Sequence, residues 1–196
     1  SRGMQVHWAG DAAEANKIIY DLFNSWGAKK VAKVKSIASE ETGANEYLEE
    51  RGIHAFETDV GAVILQLMHG KAMHPTGVSI AVAREVAKEY LSKFLGKDLP
   101  ADPASLTRAT CDWVRKAIPE ADAIFSGANA ISADVGSIYV IENEANGRLV
   151  LAQPKNYVCL AGIEKIYPDR YAVLLYEMIM PVYVTGAANI YNVTVI

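Results

Sequence analysis

The chain has 196 residues, 51% of them hydrophobic and 21% charged, with a formal charge of −4 at pH 7. This composition excludes a disordered, collagenous or mucin-like chain and is enough for one domain with a sizeable core. The mild acidity argues against general nucleic-acid binding and against an anionic membrane surface as a partner.

In chain order, residues 11–26 carry Ala15, Ile18, Ile19, Leu22 and Phe23 near helical spacing, and Gly27 stops that helix. Residues 30–36 read as a short strand rich in Val and Lys. Ser39 is predicted to cap a second helix, with Glu40 and Glu41 in its first turn, where the helix dipole favours acids. Gly52 ends it. Residues 53–58 form a second predicted strand, and Asp59 caps a third helix running to His69. Residues 82–95 read as helix and 96–101 as a linker. Asp102-Pro103 opens a further helix, with proline at the first helical position. After Pro119, strands are predicted at 123–130, 137–142, 148–152 and 157–163, with a turn at 143–147. A helix at 169–179 and a strand at 191–196 close the chain. The pattern predicts a single α/β domain over residues 1–196, with a mixed, largely parallel sheet and helices on both faces.

Cys111 and Cys159 are isolated, and no Cys-x-x-Cys pair exists. The chain by itself therefore offers no ligand set for zinc or an iron–sulfur cluster, and a reducing cytoplasm is the expected compartment. His7, His54, His69 and His74 show no metal-ligand spacing. No Gly-x-Gly-x-x-Gly, Walker A or Gly-x-Ser-x-Gly motif occurs. The most apolar run, from Tyr171 to Tyr183, carries Glu177 and Pro181 and is too short to span a bilayer. The opening Ser1-Arg-Gly-Met-Gln5 lacks a signal-peptide core and begins abruptly, as expected of a piece cut from a longer parent.

In an open α/β sheet, ligands bind beyond the carboxyl ends of the strands. Three segments are predicted there. In the first, Lys35 and the backbone near Ser36 can hold a carboxylate or phosphate. In the second, Glu57 can act as acid/base or orient the lysine, while Asp59 caps a helix. The third runs from Ser126 to Arg148. In it Gly127 permits close backbone approach, Asn129 offers donor and acceptor, and Arg148 offers a planar fork for an acid. Each also has a plain structural reading: a solvated lysine, a helix cap, and a polar hairpin with an internal Arg–Glu pair.

The string Val6-His-Trp-Ala-Gly-Asp-Ala-Ala-Glu-Ala-Asn16 carries a resemblance. It continues through Lys35-Ser36, Glu40-Glu41, Asn45, Glu57-Thr-Asp59, Gln66-Leu67, Gly127-Ala-Asn129, Gly136-Ser137, Glu144, Asn146, Arg148 and Gly162-Ile-Glu164-Lys165. This series resembles the LUD-domain family of lactate-utilization proteins, nearest to its iron–sulfur subunit branch. The resemblance implies a fold like that of ribose-5-phosphate isomerase, glucosamine-6-phosphate deaminase and the CoA transferases. It implies a part in oxidising L-lactate to pyruvate with other lactate-utilization subunits. Iron–sulfur clusters would then lie in a C-terminal domain or in partners, with no cofactor in this chain.

On that basis Lys35, Ser36, Gly127, Asn129, Asn146 and Arg148 are the expected substrate-binding residues. Glu57 and Glu144 are the expected catalytic carboxylates, and no metal ligand is expected. The family pattern places histidines near Ala81 and Tyr157, where this sequence has none. A non-catalytic assembly module that docks partner subunits is thus an alternative. An isomerase-like or acyl-transferase-like enzyme is another, and a homo-oligomer is compatible with all three.

Overall fold

The computed structural model describes residues 3–73, 77–142, 145–153, 155–186 and 192–196. Asn143, Glu144, His74 and Tyr191, all used in the sequence reading, lie outside the described residues.

The first sheet is fully parallel. Its strands are β1 (Lys30–Lys33), β2 (His54–Glu57), β3 (Ala123–Gly127) and β6 (Asn156–Leu160), in the order β2-β1-β3-β6. The second sheet contains β4 (Ala130–Ser132), β5 (Ser137–Glu142), β7 (Ile166–Tyr167) and β8 (Asn192–Val195), in the order β7-β4-β5-β8. Only β4 and β7 pair in parallel there; β5 runs antiparallel to both β4 and β8. The molecule is thus mixed α/β with a largely parallel organisation, as the alternation predicts. The strands nevertheless divide between two sheets. Ala128 and Asn129 interrupt the single strand expected at 123–130 and deliver the chain from one sheet to the other.

Helices cover both faces of the parallel sheet. On one face lie α1 (Ala12–Ser25), α2 (Ile37–Glu41) and α3 (Ala44–Glu49). Their side chains Ile19, Phe23, Ala44 and Leu48 pack with Val31, Ala55, Phe125 and Val158. On the other face lie α4 (Val60–Leu67), α5 (Arg84–Leu95) and α6 (Pro103–Ala117). There Val63, Leu91, Leu106 and Val114 pack with Ala32, Val34, Phe56 and Ile124. Alternation along β1 sorts its residues between these two cores, because successive strand side chains point to opposite faces. Both faces of β3 are buried, and this is why Ala123–Phe125 reads as an apolar run.

Two caps follow the sequence reading: Asp59 accepts from Ala62 N at 2.9 Å and Asp102 from Ser105 N at 2.9 Å. Ser36, not Ser39, caps α2, its Oγ accepting from Ser39 N at 3.3 Å. Ser39 instead donates its hydroxyl to Ser36 O at 2.7 Å. Residues 148–152, expected as a strand, belong to α7 (Asn146–Leu151). Gly147 and Val150 bury one side of this short helix, and the Glu142 carboxylate accepts from the amides of Gly147 and Arg148 at 2.6 and 2.7 Å. Those contacts supply a cap and an inward face that the local sequence does not reveal. The last helix, α8 (Arg170–Thr185), runs through Pro181 and is longer than expected.

Phe125 is fully buried, with its ring edge-on to Phe23 at 6.0 Å. Phe125→Ala is expected to cost about 3–5 kcal/mol in urea unfolding, the usual penalty for emptying an aromatic site in a packed core. Tyr183→Ala, at a position 84% exposed, should stay within about 0.5 kcal/mol of the parent.

Candidate functional site

The parallel register places Lys33 of β1 directly beside Glu57 of β2. Both side chains point to the face covered by α2 and α3, and the two residues are 0% and 2% exposed. The Lys33 ammonium donates to Glu57 Oε1 and, at 3.0 Å, to Glu40 Oε1 from α2. Asn45 Nδ2 from α3 adds a bond to Glu57 Oε1 at 3.1 Å. Burial opposes the Lys33 charge most strongly, but Glu57 and Glu40 together outweigh it and raise the lysine above its ordinary pKa. Burial also pushes the Glu57 carboxyl up, while Lys33 and Asn45 pull it back. Lys33 stays protonated, because two carboxylates face it.

The free edge of β2 is closed by a side chain. Gln66 Oε1 accepts from Glu57 N at 2.9 Å, and Gln66 Nε2 donates to Ala55 O at 2.7 Å. One amide therefore satisfies a donor and an acceptor that another strand would otherwise take. Glu57 is held by its backbone from α4 and by its carboxylate from β1 and α3.

The predicted residues separate into groups. Ser36 and Gly127 meet at the carboxyl ends of β1 and β3. A Cβ on Gly127 would lie 2.5 Å from Ser36 Oγ, so only glycine admits this approach. The chain leaves β1 toward α2 on one face and leaves β3 toward the second sheet, so this crevice is a switch point of the fold. Asn146 reaches it from α7, its Nδ2 donating to Thr58 Oγ1 at 3.3 Å, while Thr58 Oγ1 donates to Lys33 O at 2.8 Å. Lys35 is half-buried beside it, with Nζ 3.3 Å from Asp59 Oδ2.

Asn129 and Arg148 are engaged elsewhere. Asn129 Oδ1 accepts from Ile141 N at 2.8 Å and so pins the start of β4 to β5. Arg148 is exposed and donates to Asn192 Oδ1 of β8 at 2.9 Å. Glu57 serves Lys33, not Lys35, and Glu144 lies outside the described residues. The sequence reading passed over Lys33, and named Asn45 and Gln66 only as parts of a resemblance. The available signal was parity: Lys33 shares the inward side of β1 with Val31, where a lysine needs a buried partner.

Cys111 is on α6 and Cys159 on β6. Among the described residues no group of three His, Cys, Asp or Glu side chains is placed to hold a metal ion. Nor is any helix of the described residues long and apolar enough to cross a membrane.

The family model of the LUD domain matches residues 1–196. Among curated proteins, Lactate utilization protein B of Bacillus velezensis is 36% identical over 170 residues, covering 86% of this chain and 36% of its own length. Its namesake in Bacillus subtilis is 34% identical over 169 residues, covering 86% of this chain and 35% of its own length. An Escherichia coli protein named as an uncharacterized electron transport protein, YkgF, is 31% identical over 166 residues, covering 85% of this chain and 35% of its own length. The chain thus spans about a third of the length of these relatives. No solved structure matches it.

Two outcomes are expected of the buried pair. Glu57→Gln leaves the Lys33 cation with Glu40 alone and should cost about 3–5 kcal/mol in denaturant unfolding, whereas Lys33→Met with Glu57→Leu should recover most of that loss. Because the folded pKa of Lys33 lies above 10.5, its contribution is complete below that pH and is lost as pH rises through the folded value. The double replacement should therefore flatten the alkaline limb of a stability-against-pH curve.

Proposed function

Because the chain belongs to the LUD domain family, we propose that it serves a lactate-utilization system. In this reading it binds a small organic acid for oxidation of L-lactate to pyruvate, and partner redox subunits or a further domain accept the electrons. The observation that carries the reading is the match to proteins named Lactate utilization protein B over most of this chain.

The geometry supports an acid site at the β1–β3 crevice. Lys35 supplies the cation, and an incoming carboxylate would compete with Asp59 for it. Ser36 and Asn146 supply polar groups, and Gly127 keeps the approach open. Charge-assisted hydrogen bonds of this kind are the strong ones. Glu144 is the proposed acceptor for the hydroxyl proton, since the Glu57 carboxylate is engaged by Lys33 and Asn45. Asn129 and Arg148 would join the site only by leaving Ile141 and Asn192.

Those two internal contacts favour a second reading, an assembly module that docks partner subunits. The exposed apolar side chains of α8, Leu175, Met178 and Ile179 among them, suit such docking.

Calorimetric titration with L-lactate and with pyruvate tests the first reading. Saturable heat is expected with at least one acid, and Lys35→Ala should weaken it by about tenfold or more. Absence of heat with both acids, together with growth on lactate of cells carrying Lys35→Ala, would leave the docking reading standing.

A further inference from the structure

A groove of about 750 Å³ follows the free edge of β2, between α2 and α3 on one side and α4 on the other. That size suits a small molecule. Its character is unlike that of the β1–β3 crevice. Five carboxylates line it, those of Glu40, Glu46, Glu49, Glu50 and Glu57, against Lys35 and Lys71 as the lysines. Phe56, Phe94 and Trp113 line an apolar part, with Trp113 edge-on to Phe56 at 5.8 Å and to Phe94 at 5.0 Å.

Acidity alone would make this an ordinary solvated rim. The floor is what differs. Glu57 lines the groove and is 2% exposed, yet its Oε2 has no hydrogen-bond partner. Asn45 Oδ1, buried in the same groove, has none either. Both atoms are acceptors. The Asn45 amide nitrogen is already committed to Glu57 Oε1, which fixes its oxygen as the free end. Buried polar atoms are nearly always satisfied, so two orphan acceptors on residues lining one groove call for a donor from outside the chain.

We propose that this groove binds an organic ammonium ion on an apolar stem, its N–H groups donating to Glu57 Oε2 and Asn45 Oδ1 and its stem lying toward Phe56, Phe94 and Trp113. A carboxylate ligand is disfavoured by the acidic lining and by the lack of a donor on the floor. An ammonium is preferred to a guanidinium because its compact head carries three N–H donors that turn freely toward two acceptors, whereas a guanidinium is a rigid planar fork. The inference does not rest on lactate chemistry: Lys35 borders both regions, but the floor acceptors Glu57 Oε2 and Asn45 Oδ1 belong to the groove alone. A free alkylamine and a lysine side chain of a partner carry the same group.

The test is titration of the chain with n-hexylammonium chloride, followed by amide chemical shifts, beside n-hexanol, n-hexanoate and Nα-acetyl-lysine methylamide, whose ε-ammonium is free, at matched concentrations. Hexylammonium should bind, with shifts concentrated in α3, β2 and α4. Hexanol and hexanoate should bind at least tenfold more weakly. Tighter binding of Nα-acetyl-lysine methylamide than of hexylammonium would support the ammonium site and identify a side chain as its source. Glu57→Gln should weaken hexylammonium tenfold or more. As that variant can lose stability, the exposed rim pair Glu46→Gln with Glu49→Gln serves as the second variant. It should weaken binding severalfold and reduce its dependence on salt. Equal binding of hexanoate, or unchanged affinity in the rim variant, would overturn the proposal.

Discussion

A lysine with no exposed surface, Lys33, paired in register with an almost equally buried glutamate, Glu57, constrains everything around it. Two charges taken out of water are tolerated only when they face each other and when further groups satisfy what remains of their hydrogen-bonding capacity. The parallel pairing of β1 with β2 provides the first condition. Glu40 of α2 and Asn45 of α3 provide most of the second. The two short helices between β1 and β2 are therefore more than a crossover, since they bring polar side chains to a place the strands alone would leave unsatisfied. One oxygen of Glu57 is still unpaired, in a residue that lines the groove along the β2 edge.

The same stretch of chain separates two polar environments by two residues. Lys33 and Glu57 lie under α2 and α3. Two residues further along each strand, Lys35 and Asp59 form a second pair, nearer to solvent, at the mouth of the sheet. Asp59 uses one oxygen to cap α4 and the other toward Lys35, so the position of α4 and the orientation of that lysine are coupled. Gln66 of the same helix closes the β2 edge. Displacing α4 would disturb the cap, the lysine and the strand edge together. The backbone of this part of the sheet is thereby tied to α4 at several points.

Much of the fold was legible in the chain. Apolar spacing found α1, and Asp-x-x caps found the starts of α4 and α6, because these signals are local. The strands β1, β2, β3 and β5 were legible because each is a short apolar or β-branched run. The helical state of 146–151 was not, since its cap comes from Glu142 and its packing from Val150 entering a core built by distant elements. Of the candidate site, Lys35, Ser36 and Gly127 were placed at strand ends by the general rule for parallel sheets. Asn129 and Arg148 have the right chemistry, but their neighbours in space, Ile141 and Asn192, could not be inferred from spacing.

The sequence by itself determined the α/β alternation, the LUD-domain resemblance and the inventory of acids and bases, because composition, periodicity and motif order are properties of the chain. Only the tertiary structure decided which lysine met which carboxylate. Lys33 and Lys35 differ by two positions in a strand and have the same parity, so nothing local distinguishes a buried ion pair from a half-exposed one. Strand register and the helices laid over it made that choice.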